Sequence, residues 1–134
     1  MRQPTYRNPM ALEPGLQATV TLRVSEADTA IALRSGDVAV LATPRLLALC
    51  EEATCRALDG HLDPGRTTVG IRVQLDHVQA TPVGGEVRAE ATLEKVEGNQ
   101  LTFTVAAHDG RGLIGAGRVT RVSVDRQRFI DKLA

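Results

Sequence analysis

The chain has 134 residues, 16 basic and 16 acidic side chains, 43% hydrophobic residues and only 2% aromatics. That length suits one domain, with a core that must come from Val, Leu, Ile and Ala. Zero formal net charge and three scattered aromatics, Tyr6, Phe103 and Phe129, argue against a nucleic-acid partner, which needs a basic patch or stacking platforms.

Residues 1–14 contain Pro4, Pro9 and Pro14 and little periodicity, so they are expected to form an irregular arm suited to packing on a partner subunit, ahead of one domain over residues 15–134. From Ala18 the pattern is that of a strand: Ala18, Val20, Leu22 and Val24 share one face, Thr19, Thr21 and Arg23 the other. Residues 25–37 are polar and mixed, a loop or an imperfect helical turn. A long helix follows. Thr43 is expected as its N-cap with Pro44 at the first helical position, and Leu46, Leu49 or Cys50, Ala53 and Ala57 form its apolar stripe, widened by Leu47, Cys55 and Leu58. Asp59-Gly60 ends it with a left-handed cap at Gly60.

The second half reads as strands. Val69, Ile71, Val73 and Leu75 are expected on one face, then Val87, Ala89, Ala91 and Leu93, then Leu101, Phe103, Val105 and Ala107, with turns at Gly84-Gly85, Gly98-Asn99 and Asp109-Gly110. A last strand over about 113–124 has unclear parity, and Gly115 and Gly117 mark a bulge or a close backbone approach. One helix against an antiparallel meander is an α+β layer architecture. The hot-dog fold, a curved antiparallel sheet wrapped around one long central helix, has this element order.

Cys50 and Cys55 are five apart on one helix, a spacing unsuited to a disulfide, which fits a reducing, cytoplasmic setting; both are read as small packing residues. No signal-type apolar run stands at the start, and no segment approaches the ~20 apolar residues of a membrane-spanning helix.

Two side chains are out of keeping with their faces. Glu51 has Leu47, Cys55 and Leu58 as helical neighbours, a carboxylate set in an apolar stripe, whereas Glu52 lies four before Arg56 as an ordinary exposed ion pair. His77 continues the parity of Val73 and Leu75 and so projects toward the core near a strand end, where sites commonly lie. An inward histidine is also a common structural residue. Thr43 is fully explained as a cap, yet a helix start offers free amides and a positive dipole end that suit a thioester carbonyl or a carboxylate. His61 and His108 read as surface residues. No zinc spacing, phosphate-binding loop or nucleophile elbow is present, and no metal or cofactor is expected.

The chain resembles the fluoroacetyl-CoA thioesterase family of hot-dog proteins over about residues 14–130. The resemblance rests on Val40-Leu-Ala-Thr-Pro44, Leu49-Cys-Glu51 and Ala53 to Ala57, Leu62-Asp-Pro-Gly65, Val69-Gly70, Asp76-His77, Ala80-Thr-Pro82, Val96-Glu-Gly98, Ala107-His-Asp-Gly110, and Ile114-Gly-Ala-Gly117 with Arg121. It implies an active site of Thr43, Glu51 and His77 at the interface of a homodimer. It further implies an acyl-CoA substrate, a Gly70 that lets the thioester approach the backbone, and an Arg121 that holds the coenzyme A phosphates. Two departures point away from fluoroacetyl-CoA itself. The family's lid aromatics have no counterpart over Arg34 to Val38, and Val119 stands where the family carries a His two before the Arg.

The reaction so implied is hydrolysis of an acyl-CoA thioester. Glu51 would attack directly or act as general base on water, His77 would act as general acid or base or orient the water, Thr43 would hydrogen-bond Glu51 or the substrate, and the helix-start amides would stabilise the oxyanion. The alternative is a non-catalytic hot-dog dimer that binds or senses acyl-CoA. An enoyl-CoA hydratase would need an Asp–His pair over the helix, and none is evident around residues 59–66.

Overall fold

The computed structural model describes residues 12–134. Strand β1 (Gln17–Arg23) leads through a short 3-10 turn (Glu26–Asp28) and a loop into helix α1 (Thr43–Ala57). Four strands follow, β2 (Arg66–His77), β3 (Glu86–Glu97), β4 (Gln100–Asp109) and β5 (Gly112–Asp125), then a short helix α2 (Arg126–Asp131). The five strands form one antiparallel sheet in the order β1-β3-β4-β5-β2, with α1 lying across it. The expected α+β hot-dog architecture is what the chain adopts.

The core follows from uninterrupted period-2 patterns. Val87, Ala89, Ala91 and Leu93 of β3 and Leu101, Phe103, Val105 and Ala107 of β4 are all buried, facing Leu46, Leu49, Cys50, Ala53 and Ala57 of α1. The alanines matter because a helix can approach a sheet closely only where both surfaces are low. The expected arm lies mostly outside the described residues. Its Leu12 packs on the chain's own core, as does Leu16 just past the arm, where Leu93 N–H donates to Leu16 C=O at 2.7 Å.

Several expectations are corrected. Helix α1 is capped by Ala42, not Thr43, with no side-chain cap bond. Cys50 is buried, but Cys55 is exposed, so the wide stripe is open on the Cys55 side. Gly60 does hold a left-handed φ of 80° just beyond the helix. Strand β2 does not keep one parity: its pairing with β5 slips between Gly70 and Arg72, a bulge at Ile71, which is 55% exposed. The bulge places Gly70, opposite Arg121, on the core side with Val73, Leu75 and His77, and moves Val69 off it. Helix α2 has no counterpart in the sequence reading; Asp125 caps it by accepting from the Arg128 amide at 3.0 Å.

Gly115 and Gly117 are sites of close approach. A Cβ at Gly115 would meet Leu46 Cδ2 at 3.0 Å, and one at Gly117 would overlap the Gln74 carbonyl and lie 2.9 Å from Leu75 Cα. The obstacle at Gly117 is backbone, which cannot swing aside. Gly110, by contrast, has open space around it. Gly117→Ala should therefore lower the free energy of unfolding by about 2–4 kcal/mol, whereas Gly110→Ala stays within about 0.5 kcal/mol. Urea-denaturation midpoints of the two variants decide this, and equal midpoints would contradict the close-approach reading.

Candidate active site

The first turn of α1 and the end of β2 bring Thr43 and His77 together. Thr43 Oγ1 and His77 Nδ1 are 2.8 Å apart. Since Thr43 does not cap the helix, its hydroxyl is free for the imidazole. Burial holds the imidazole below the ordinary histidine value, an effect partly offset by the Gln79 backbone. His77 Nε2 is buried and has no hydrogen-bond partner among the described residues. In the tautomer in which Thr43 donates to Nδ1, the neutral ring carries its proton on Nε2 as an unspent donor. The pair opens onto a cavity of about 260 Å3 walled by Ser35, Val40, Leu41, Val78 and Ala80.

The helix start itself is less generous than expected. Ala42 N–H donates to Asp28 C=O at 2.9 Å, Arg45 and Leu46 N–H both reach Ala42 C=O, and Pro44 has no N–H. The free amides that would have formed an oxyanion hole are largely committed. The Thr43 N–H has no backbone acceptor among the described residues, so it and the His77 Nε2 edge are what the site offers an oxyanion.

Glu51 lies further along α1, in a second group of residues. Its Oε2 is 3.6 Å from Arg121 Nη1. A Cβ added to Gly70 would stand 2.5 Å from the same oxygen. The carboxylate thus lies against bare backbone at the one β2 position without a side chain. Arg121 is 8% exposed and donates from Nε to Thr68 Oγ1 at 2.9 Å and from Nη2 to Thr68 C=O at 3.1 Å. A guanidinium so buried and so occupied faces Glu51 and not the solvent in the single chain. Gly70 faces the Glu51 carboxylate.

The five expected residues therefore form two groups, Thr43 with His77 and Glu51 with Gly70 and Arg121. Thr43 and Glu51 are eight residues apart on one straight helix, which is about 12 Å along its axis. Gly70 and His77 are about 20 Å apart along β2. Within one chain the two groups are thus set apart along both elements. The residues missed by sequence reading, Asp28, Thr81 and Asp109, are buried polar groups in loops and turns, where no periodicity marks burial. Asp28 accepts from Ser25 N–H and from Arg45 Nε at 2.9 Å; although burial raises its carboxyl, these bonds and the Arg45 charge hold it below the usual range.

A family model described as fluoroacetyl-CoA-specific thioesterase, FlK, matches residues 24–127. The fluoroacetyl-CoA thioesterase of Streptantibioticus cattleyicolor is 37% identical over 94 residues, 70% of this chain and 68% of that protein. The crystal structure of the fluoroacetyl-CoA thioesterase FlK superposes with a TM-score of 0.86 at 31% identity, covering 92% of this chain and 96% of that one. A thioesterase-superfamily protein of Thermus thermophilus gives a TM-score of 0.85 at 26% identity, covering 95% and 92%.

The contact between Glu51 and bare backbone is open to test. Gly70→Ala should displace the Glu51 carboxylate from Arg121, because a methyl group and Oε2 cannot share that space, and should cost less than about 2 kcal/mol of stability because the carboxylate is the flexible partner. A crystal structure of the variant, with its melting temperature, checks both. A Glu51 that has not moved would contradict the reading.

Proposed function

The chain belongs to the fluoroacetyl-CoA-specific thioesterase family and is an acyl-CoA thioesterase; we propose that it works as a homodimer in which each active site takes Thr43 and His77 from one copy and Glu51 from the other. The observation that carries this is the separation of the two groups within one chain, about 12 Å along α1. Strand β2 supports it. It is twelve residues long, lies at the sheet edge, and exposes Ile71 and, just past its end, Val78 by 55% and 63%. A long edge of this kind is a ready template for pairing. Antiparallel pairing of two β2 edges about a two-fold axis brings the His77 end of one beside the Gly70 region of the other.

In such a site the thioester carbonyl lies between Glu51 of one copy and His77 of the other. Glu51 supplies the carboxylate, attacking the carbonyl carbon or taking a proton from the water that does. His77 is neutral at pH 7, and its Nε2–H donates to the developing oxyanion or to the departing sulfur. Thr43 fixes the tautomer by donating to Nδ1. Arg121 faces the Glu51 carboxylate, with Nη1 3.6 Å from Oε2, and orients it. The products are a carboxylic acid and coenzyme A. Two features argue against fluoroacetyl as the acyl group: the stretch from Arg34 to Val38 carries no aromatic, and Val119, where the resemblance implies a His, is wholly buried. A reducing, cytoplasmic setting fits the free Cys50 and Cys55.

The test is complementation, read by release of free coenzyme A from acetyl-, butyryl-, octanoyl- and benzoyl-CoA. Glu51→Gln and His77→Ala should each lose at least about tenfold in kcat. Co-folded in equal amounts they should recover about one quarter of the wild-type rate, since half of the dimers are mixed and one of their two sites is intact. No recovery, with dimers present, would place each site within one chain. Saturable binding of every acyl-CoA by the wild type without thiol release would instead make this a binding protein.

A further inference from the structure

We infer that Asp109 is a positioning residue for this site, acting through Thr81 to fix helix α1 against strand β2 and so to set the Thr43–His77 contact. The inference rests on the assignment of Thr43 and His77 made above. Its starting point is that the two belong to different bodies. His77 is carried by the sheet, paired with Gly115 at the end of β2, whereas Thr43 is carried by the first turn of α1. Their 2.8 Å contact survives only while those bodies keep their spacing.

Thr81 joins the two. It lies four residues past His77 in the loop that leaves β2, it is 1% exposed, and its carbonyl accepts the Leu41 N–H at 2.8 Å, two residues before Thr43. Val40 and Pro82 make a further bridge beside it. On the opposite side the same short segment is tied to the loop before it, with Ala30 N–H on Val40 C=O and Ala42 N–H on Asp28 C=O, each at 2.9 Å. The approach to the helix is thus gripped from two sides, and Thr81 is the grip on the β2 side.

Thr81 is in turn held by Asp109, whose side chain is only 4% exposed. Asp109 is at the end of β4, entering the turn to β5. One of its oxygens does ordinary turn work: Oδ1 accepts the Arg111 N–H at 2.8 Å. The turn has no need of the other. Oδ2 accepts the Thr81 hydroxyl at 2.8 Å across to the other loop, with Arg111 Nη2 at 3.6 Å. The same guanidinium donates to the Ala80 carbonyl, so two consecutive residues of the cavity-side loop hang on the Asp109–Arg111 unit. A surface turn would function with a solvated aspartate. Burying a carboxylate is costly unless its bonds serve something else, and here they end at the segment that precedes Thr43.

The effect expected is on geometry and hence on turnover, since small misplacements of positioned groups are expensive in rate. Asp109→Ala and Thr81→Val should each lower kcat at least about tenfold with KM within about threefold, while Thr81→Ser, which keeps the hydroxyl, stays within about threefold of wild type. A second readout is the NMR titration of the His77 ring, which burial holds below the ordinary 6.5; in Asp109→Ala and Thr81→Val it should move up toward that value as the pair opens to water. Should Asp109→Ala fail to fold, the Thr81→Val and Thr81→Ser pair carries the test. Folded variants with lower melting temperatures but unchanged kcat and an unchanged His77 titration would make Asp109 a purely structural residue and overturn the inference. If Thr43→Ala and His77→Ala themselves leave hydrolysis intact, the site assignment has failed instead, and the two failures are told apart by that control.

Discussion

Glu51 rests against a piece of backbone that has no side chain, and the proposed site depends on that contact. A carboxylate on an apolar helix face needs both room and a cation. Gly70 supplies the room and Arg121 the cation, and Thr68 takes the other guanidinium donors so that Nη1 is left facing Glu51. The bulge at Ile71 makes this compatible with His77. Residues 70 and 77 differ by an odd number, so in a regular strand they would face opposite sides of the sheet. One extra residue between them puts both on the helix side. A single irregularity lets one strand serve both groups of the site.

That irregularity also limits what the sequence discloses. Strands β1, β3 and β4 and the buried stripe of α1 are legible because their periods run unbroken over the stretches that form the core, and Val87 through Leu93 or Leu101 through Ala107 leave no choice of face. In β2 the alternation of Val69, Ile71, Val73 and Leu75 reads as equally regular, and nothing in those letters betrays the slip. The inward His77 is correctly inferred because it lies past the bulge on the same side as Val73; Val69 and Ile71 are misread because they lie before it or in it. Glu51 is visible as a charge among Leu47, Cys55 and Leu58, yet its partner is not, because Arg121 reaches it from a strand of unclear parity some seventy residues later in the chain. Asp109 and Thr81 look like turn residues in sequence, and only the crossing of two loops shows that they meet.

Helix α1 shows how the site is set against local stability. A threonine at the start of a helix, followed by proline, ordinarily caps it, and a cap of that kind is worth about 0.5–2 kcal/mol. Here the chain places Ala42 at the cap and commits the threonine to the imidazole. The forgone side-chain bond is offset by tertiary ones: the Asp28 carbonyl takes the Ala42 amide, and the Asp28 carboxylate pairs with Arg45 in the first turn. Stabilisation of the helix start has been moved from the capping hydroxyl to a neighbouring loop, and the hydroxyl is thereby available for chemistry.

The two edges of the sheet differ in the same sense. β1 is seven residues long and alternates with exposed Thr and Arg, the short polar edge that resists pairing. β2 is twelve residues long, contains no Lys and no Pro, and exposes Ile71. Left open, such an edge invites indiscriminate association, so its persistence requires a benefit. The strand that bears the open edge is the strand that bears Gly70 and His77, one for each incomplete group. In the proposed dimer, covering it with a second copy would satisfy the backbone, remove apolar surface from water and bring together groups that lie about 12 Å apart along one helix. In the dimer proposed above, edge protection and completion of the site are the same event.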